Sequence, residues 1–258
     1  MDRRILAVVG LAIIVLLLTS HSSNSGAVPS FESVATPIAT ESPTGYSSTA
    51  SPAPPVAAYG ETPSPTDTPV VKVTPITYRQ FDDKWTAVRY GFVDGDTIRR
   101  WGCGPSVMAM VVATLRDPSV DPIVASQWSE DHGYFTNEFE SGKTLPGFFT
   151  EFAEQYGLSV REIGSSDLRA LPEEGAHEVH EEALAAIEQG DWVIALMGKG
   201  HWTSEAHFVL WYDVDGEDVL IVDPNSKRED KAQNLHSLFI ETVMRYWIID
   251  VDPSGIPS

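Results

Sequence analysis

The sequence predicts an α+β domain in which helices come first and a mostly antiparallel sheet is assembled late. Three observations carry this. Apolar residues recur at helical spacing from Val107 to Leu115 and again from Leu145 to Tyr156. Strand-length apolar runs cluster after Trp192. The connection between two of those runs, Asp215-Gly216, is a hairpin turn and not a crossover long enough to make the strands parallel.

The chain begins with Asp2-Arg3-Arg4 and an apolar run from Ile5 to Leu18 of about 14 residues, the length of a signal-peptide core and short for a membrane span. Ser25-Gly26-Ala27 offers a cleavage site, so residues 1–27 are expected to act as a signal peptide or, uncleaved, as an anchor. No cysteine directly follows the run, so a lipid anchor of the bacterial Cys type is not expected. Residues 28–72 are rich in Pro, Ser, Thr and Ala, with Pro29, Pro37, Pro43, Pro52, Pro63 and Pro69 at no fixed period. Such a stretch buries too little to offset the entropy of ordering it, and a disordered stalk is expected. Residues 73–258 then form one domain of ordinary size. The expected location is extracellular or at the cell surface, with membrane contact only through the N-terminal segment, and the domain is expected to be a monomer.

Within the domain, Val73 to Tyr78 alternates weakly and reads as a short strand. Asp94-Gly95-Asp96 marks a turn between Tyr90 and Ile98. Pro105 suits the first turn of the helix that Val107 to Leu115 continues. Asp121-Pro122 opens a second helix to about His132, closed by Gly133, and Gly157 caps the third. Phe148, Phe149, Phe152 and Tyr156 share one face of that third helix as core. Leu158 to Ile163 is a strand, and Glu178 to Gln189 an acidic helix ended by Gly190. Trp192 to Met197, apolar without interruption, is a buried central strand. His207 to Val214 and Val219 to Val222 form the hairpin. Asn234 to Val243 reads as a last helix and Tyr246 to Val251 as a last strand.

Cys103 is the single cysteine of the chain, so it has no partner for an internal disulfide. In an exported protein an unused thiol is a liability. Its place at a helix start offers unpaired N–H groups and the positive end of the helix dipole, a setting that favours thiolates. Gly102 and Gly104 on either side allow a backbone or a substrate to come close. A nucleophilic thiol needs a base and a group to orient that base. The hairpin brings His207, at the start of one strand, near Asp223, at the end of its partner. His201 is the rival base and Asn225 the rival orienter. His201 and Trp202, with Trp101, Gly102 and Gly104, are expected to line the cleft.

The motifs Gly102-Cys103-Gly104-Pro105-Ser106, Ala206-His207-Phe208-Val209-Leu210 and Val222-Asp223-Pro224-Asn225-Ser226, preceded by Tyr78-Arg79-Gln80-Phe81-Asp82 and Trp85, occur in that order across nearly the whole domain. Together they resemble the bacteriocin-processing (double-glycine leader) peptidases of the papain-like cysteine peptidase superfamily. The resemblance implies a papain-like fold and a peptide or protein substrate. By the same resemblance Cys103 is nucleophile, His207 base, Asp223 its orienter and Gln80 an oxyanion donor. Where that family often has Gly before the His, this chain has Ala206. The resemblance does not carry the substrate: leader-processing members are fused to exporters, whereas this chain has a signal segment and a stalk. Cleavage or transpeptidation of cell-wall peptides, and a binding module of the same fold without turnover, stay open.

The net charge of −20 argues against nucleic acid and anionic membrane surfaces as partners. No metal or other cofactor is expected. His177 and His180 lack a third ligand and are read as a solvated helix face. Asp213 to Asp218 lacks the spacing of a calcium loop and is read as a turn.

Overall fold

The computed structural model describes residues 71–138, 142–164, 167–227, 233–235 and 237–257. The segment expected to be a signal, and the expected stalk up to residue 70, lie outside the described residues, as does Ser258. The chain divides into two units, Met1–Thr62 and Pro63–Ser258, and the described residues all belong to the second.

Four helices lead: α1 (Ile98–Trp101), α2 (Cys103–Leu115), α3 (Pro122–Asp131) and α4 (Gly147–Glu154). Then come β1 (Val160–Ile163), α5 (Glu173–Glu188), β2 (Trp192–Met197), β3 (His207–Asp215), β4 (Asp218–Val222), β5 (Gln233–Leu235), α6 (Ser237–Thr242) and β6 (Val243–Ile249). The six strands form one sheet in the order β1-β6-β2-β3-β4-β5, and each neighbouring pair is antiparallel. The expected α+β class with an antiparallel sheet is the class observed.

The uninterrupted apolar run of β2 is explained by helices on both faces of the sheet. Trp192, Ile194 and Leu196 join Val107, Met108, Val111, Phe149 and Phe152 of α2 and α4 in one core. Val193, Ala195 and Met197 join Ala183 and Ile187 of α5 and Phe239 of α6 in another. Strand side chains alternate between faces, so a strand covered on both sides must be apolar at every position, and every residue of β2 is buried.

α2 is buried along its whole length, which is why its sequence shows an apolar run and not a stripe. α3 starts as its sequence suggests: the Asp121 carboxylate accepts from the N–H groups of Ile123 and Val124, and Pro122 occupies the first turn.

Four expectations are corrected. Val73 to Tyr78 forms no strand; Ile76 N–H donates instead to the Thr114 hydroxyl, 2.8 Å away. The segment read as a last helix divides into β5, α6 and the first residue of β6. The acidic helix begins at Glu173, five positions before Glu178. His180, read as solvated, is 1% exposed and shares a 2.9 Å hydrogen bond with the Tyr246 hydroxyl, because that face of α5 lies on the sheet. His177 is exposed.

Candidate active site

Gly102 separates α1 from α2 with φ −82° and ψ 15°, and Cys103 is the first residue of α2. The glycines on either side of the cysteine are there for packing. A Cβ on Gly102 would stand 2.5 Å from the Ile98 carbonyl oxygen, and one on Gly104 2.8 Å from the Thr144 hydroxyl. Both are buried against the protein itself, which corrects the expectation that they line the substrate path.

β3 and β4 supply the partners. Leu210 opposes Val222, and a one-residue irregularity between Trp211 and Asp213 shifts the register beyond it. Asp223 therefore leaves the end of β4 beside the start of β3, where His207 sits. His207 Nε2 and Asp223 Oδ1 are 2.6 Å apart, with both residues buried. The same carboxylate oxygen accepts from the Asn225 backbone N–H at 2.8 Å. Between the two candidates for orienting the imidazole, the carboxylate of Asp223 holds the ring, while Asn225 contributes its backbone and borders the cleft.

With Nε2 committed to Asp223, Nδ1 is the ring nitrogen left for the sulfur, and Cys103 is among the groups that raise the His207 pKa. Burial, the largest single influence on the ring, favours its neutral form. The hydrogen bonds to Asp223 and Cys103, with the charges of both, outweigh it, and the His207 pKa is pushed up to about 10. An imidazole placed between a carboxylate and a sulfur is an arrangement in which a thiol can pass its proton to a base.

Cys103 is 6% exposed and opens, with His207, Gln80, Trp101 and Asn225, on a cleft of about 150 Å³. The sulfur is thus at the floor of a solvent-connected cavity. Gln80 is 2% exposed and its Nε2 donates to the Arg99 carbonyl at 2.6 Å. An amide nitrogen carries two hydrogens, and Arg99 takes one. The placement at the cleft wall fits an oxyanion donor, which needs its other N–H beside the helix-start N–H groups.

The segment around Gln80 also clamps the Asp223-Pro224 turn. Gln80 N–H donates to the Pro224 carbonyl at 2.9 Å, the Arg79 guanidinium donates to the Asp223 carbonyl, and the Trp85 indole N–H donates to the Arg79 carbonyl at 2.7 Å. Arg79 has no expected part in the chemistry. Its signal in the sequence is its position next to Gln80 in a motif shared with Trp85.

His201 and Trp202 do not line the cleft. Trp202 is buried against Phe239 in the α5-side core, and His201 is exposed with its ring edge-on to that indole. The cleft wall on this side is made by Thr203 to Ala206 instead. Trp101 is placed as expected; its indole N–H is held by Asp96 at 2.7 Å. Arg100, Lys143 and Glu205 border the cleft as well, and none is expected there from the sequence.

Among the described residues no group of three or more His, Cys, Asp or Glu side chains could hold a metal ion, and no helix is long and apolar enough to cross a membrane.

No family model matches this chain, and no curated protein matches it. Among solved structures, it is similar to the peptidase domain of Streptococcus ComA, described as a bi-functional ABC transporter involved in a quorum-sensing pathway. Identity is 14% over 63% of this chain and 97% of that one, with a TM-score of 0.38. It is also similar to a structure described as that of a C39-like peptidase from Bacillus anthracis, at 13% identity over 59% of this chain and 90% of that one, with a TM-score of 0.35.

Proposed function

We propose that this chain is an exported cysteine peptidase that hydrolyses peptide bonds. The observation that carries the reading is the arrangement of three side chains: Cys103 at a helix start, His207 on the same cleft, and the Asp223 carboxylate 2.6 Å behind the imidazole ring. The Cys103 sulfur attacks the scissile carbonyl carbon and the carbonyl oxygen becomes an oxyanion, stabilised by Gln80 Nε2–H and the helix-start N–H groups. Collapse of this intermediate expels the amine, which takes its proton from the His207 imidazolium, and leaves a thioester on Cys103. Neutral His207 then takes a proton from water. The resulting hydroxide attacks the thioester, the acid leaves, and the thiolate–imidazolium pair is restored. Asp223 keeps the ring oriented and compensates its charge throughout.

The N-terminal apolar segment and the Pro-rich stretch support action outside the cytoplasm; the proposed substrate is a peptide or protein, and the proposed working form is a monomer. The test is hydrolysis of a mixed peptide library by the full-length protein and its Cys103→Ala variant. The variant is expected to lose hydrolysis altogether; hydrolysis that persists in it would overturn the proposal.

A further inference from the structure

The charge of the cleft runs against the charge of the chain. Acidic residues outnumber basic ones 37 to 17 over the whole sequence. Among the described residues that line the cleft, by contrast, Arg100 and Lys143 stand against one acid, Glu205. Both cations are grouped on one side chain: the Arg100 guanidinium lies 4.8 Å and the Lys143 ammonium 5.0 Å from the centre of the Trp101 ring. Glu205 belongs to the other wall, the Thr203 to Ala206 segment that leads into β3.

Lys143 is held there at a cost. It is 5% exposed, although a buried ammonium is expensive. It is also the one non-glycine residue with positive φ among the described residues, at 66°, a conformation that crowds any side chain with a Cβ. The Asn137 carbonyl accepts from its Nζ at 3.1 Å. The indole of Trp101 is fixed in turn by Asp96, whose carboxylate also accepts from the N–H groups of Phe92 and Val93. A strained, buried cation beside a clamped aromatic ring is a built surface, and it faces the space a substrate must enter to reach Cys103.

Resting on the peptidase reading above, we propose that the cleft selects peptides carrying a carboxylate side chain beside the scissile bond, recognised by Arg100 and Lys143 around the Trp101 ring. A planar guanidinium and an ammonium together match a carboxylate by charge and by hydrogen bonding. An aliphatic side chain in the same place would strip water from the exposed Arg100 guanidinium and return nothing.

Cys103 is the sole thiol, so two small alkylating agents of nearly equal size read the charge of the cleft directly. In each, the sulfur displaces iodide from the carbon it attacks; iodoacetate brings a carboxylate and iodoacetamide a neutral amide. The full-length protein is treated with each, and the rates are followed by intact mass. The imidazolium at His207 favours iodoacetate by itself, so the decisive quantity is the change in the rate ratio between variants. Arg100 is exposed, and Arg100→Gln is not expected to disturb folding; it should lower the iodoacetate preference roughly fivefold, the scale of one partly screened charge. Lys143→Gln should lower it further. A vinyl sulfone probe with Glu beside the electrophile should label Cys103 faster than its Gln counterpart, and Arg100→Gln should narrow that gap. Ratios unchanged in Arg100→Gln and Lys143→Gln, with Cys103 still alkylated, would overturn the carboxylate preference and leave the peptidase reading standing. Failure of every reagent to reach Cys103 in the folded protein would overturn both.

Discussion

Removing an imidazole from water favours its neutral form, so a buried histidine that stays protonated must be held by charged neighbours. For His207 those neighbours are Asp223 and Cys103, and its pKa rises to about 10 from the ordinary 6.5. A group whose pKa is higher folded than unfolded contributes stability that is complete below about 6.5 and is lost as pH climbs towards 10. Denaturant midpoints of the unsubstituted protein should therefore fall more steeply between pH 6.5 and 10 than those of His207→Gln. Parallel curves would contradict this account of the ring. Asp223→Asn should lower kcat/KM by about 10³-fold or more, since the amide cannot compensate an imidazolium; Asn225→Ala, which keeps its backbone N–H, should leave it close to wild type. Peptide turnover by the two variants checks this. Cys103, His207 and Asp223 are legible in the sequence because a single cysteine at a helix start and a hairpin with a turn of known geometry leave few arrangements. Trp202 and His180 are misread for the opposite reason. A polar loop and an acidic helix say nothing locally about which of their residues a neighbouring layer will cover, and Phe239 and Tyr246, which cover them, come later in the chain.

At the scale of elements, the site depends on how closely α2 begins against its surroundings. Gly102 and Gly104 permit that approach, and the Ile98 carbonyl, being backbone, cannot give way. Gly102→Ala should lower stability by roughly 1–3 kcal/mol, the usual cost of overpacking, and should reduce turnover by shifting the nucleophile; thermal unfolding and peptide assays read the two effects. A fully stable, fully active variant would show that the helix start is not constrained as described. The clamp of Arg79, Gln80 and Trp85 on the Asp223-Pro224 turn makes a parallel claim. Arg79→Leu should depress kcat with little change in KM, because it loosens the orienter and not the substrate wall. Elements with strong local signals, such as α2, α3, β2 and the β3–β4 hairpin, are legible in the residues themselves. The stretch from Asn234 to Val243 is not, because its residues suit a helix by composition while pairing with β4 claims the first of them and pairing with β2 the last. Val73 to Tyr78 has a strand-like alternation but finds no strand partner, and α2 takes up one of its N–H groups instead.

At the scale of the molecule, two cores on opposite faces of one antiparallel sheet support α2, which presents the sulfur, and the hairpin, which presents the His207 imidazole. The acidic surface is a matter of solvation, and the cleft, with Arg100 and Lys143, departs from it. A fragment of residues 71–258 contains every side chain of the site, and it should match the full-length protein in far-ultraviolet circular dichroism and in peptide turnover. A loss of turnover in a folded fragment would assign the N-terminal region a part in catalysis. The account depends most on the coupling of sulfur, imidazole and carboxylate, and nuclear magnetic resonance of protein labelled with ¹⁵N-histidine measures that coupling directly. The His207 ring should be doubly protonated at pH 8, with a strongly downfield Nε2–H signal that disappears in Asp223→Ala. A ring that is neutral at pH 8, titrates near 6.5 and ignores the loss of Asp223 would contradict it.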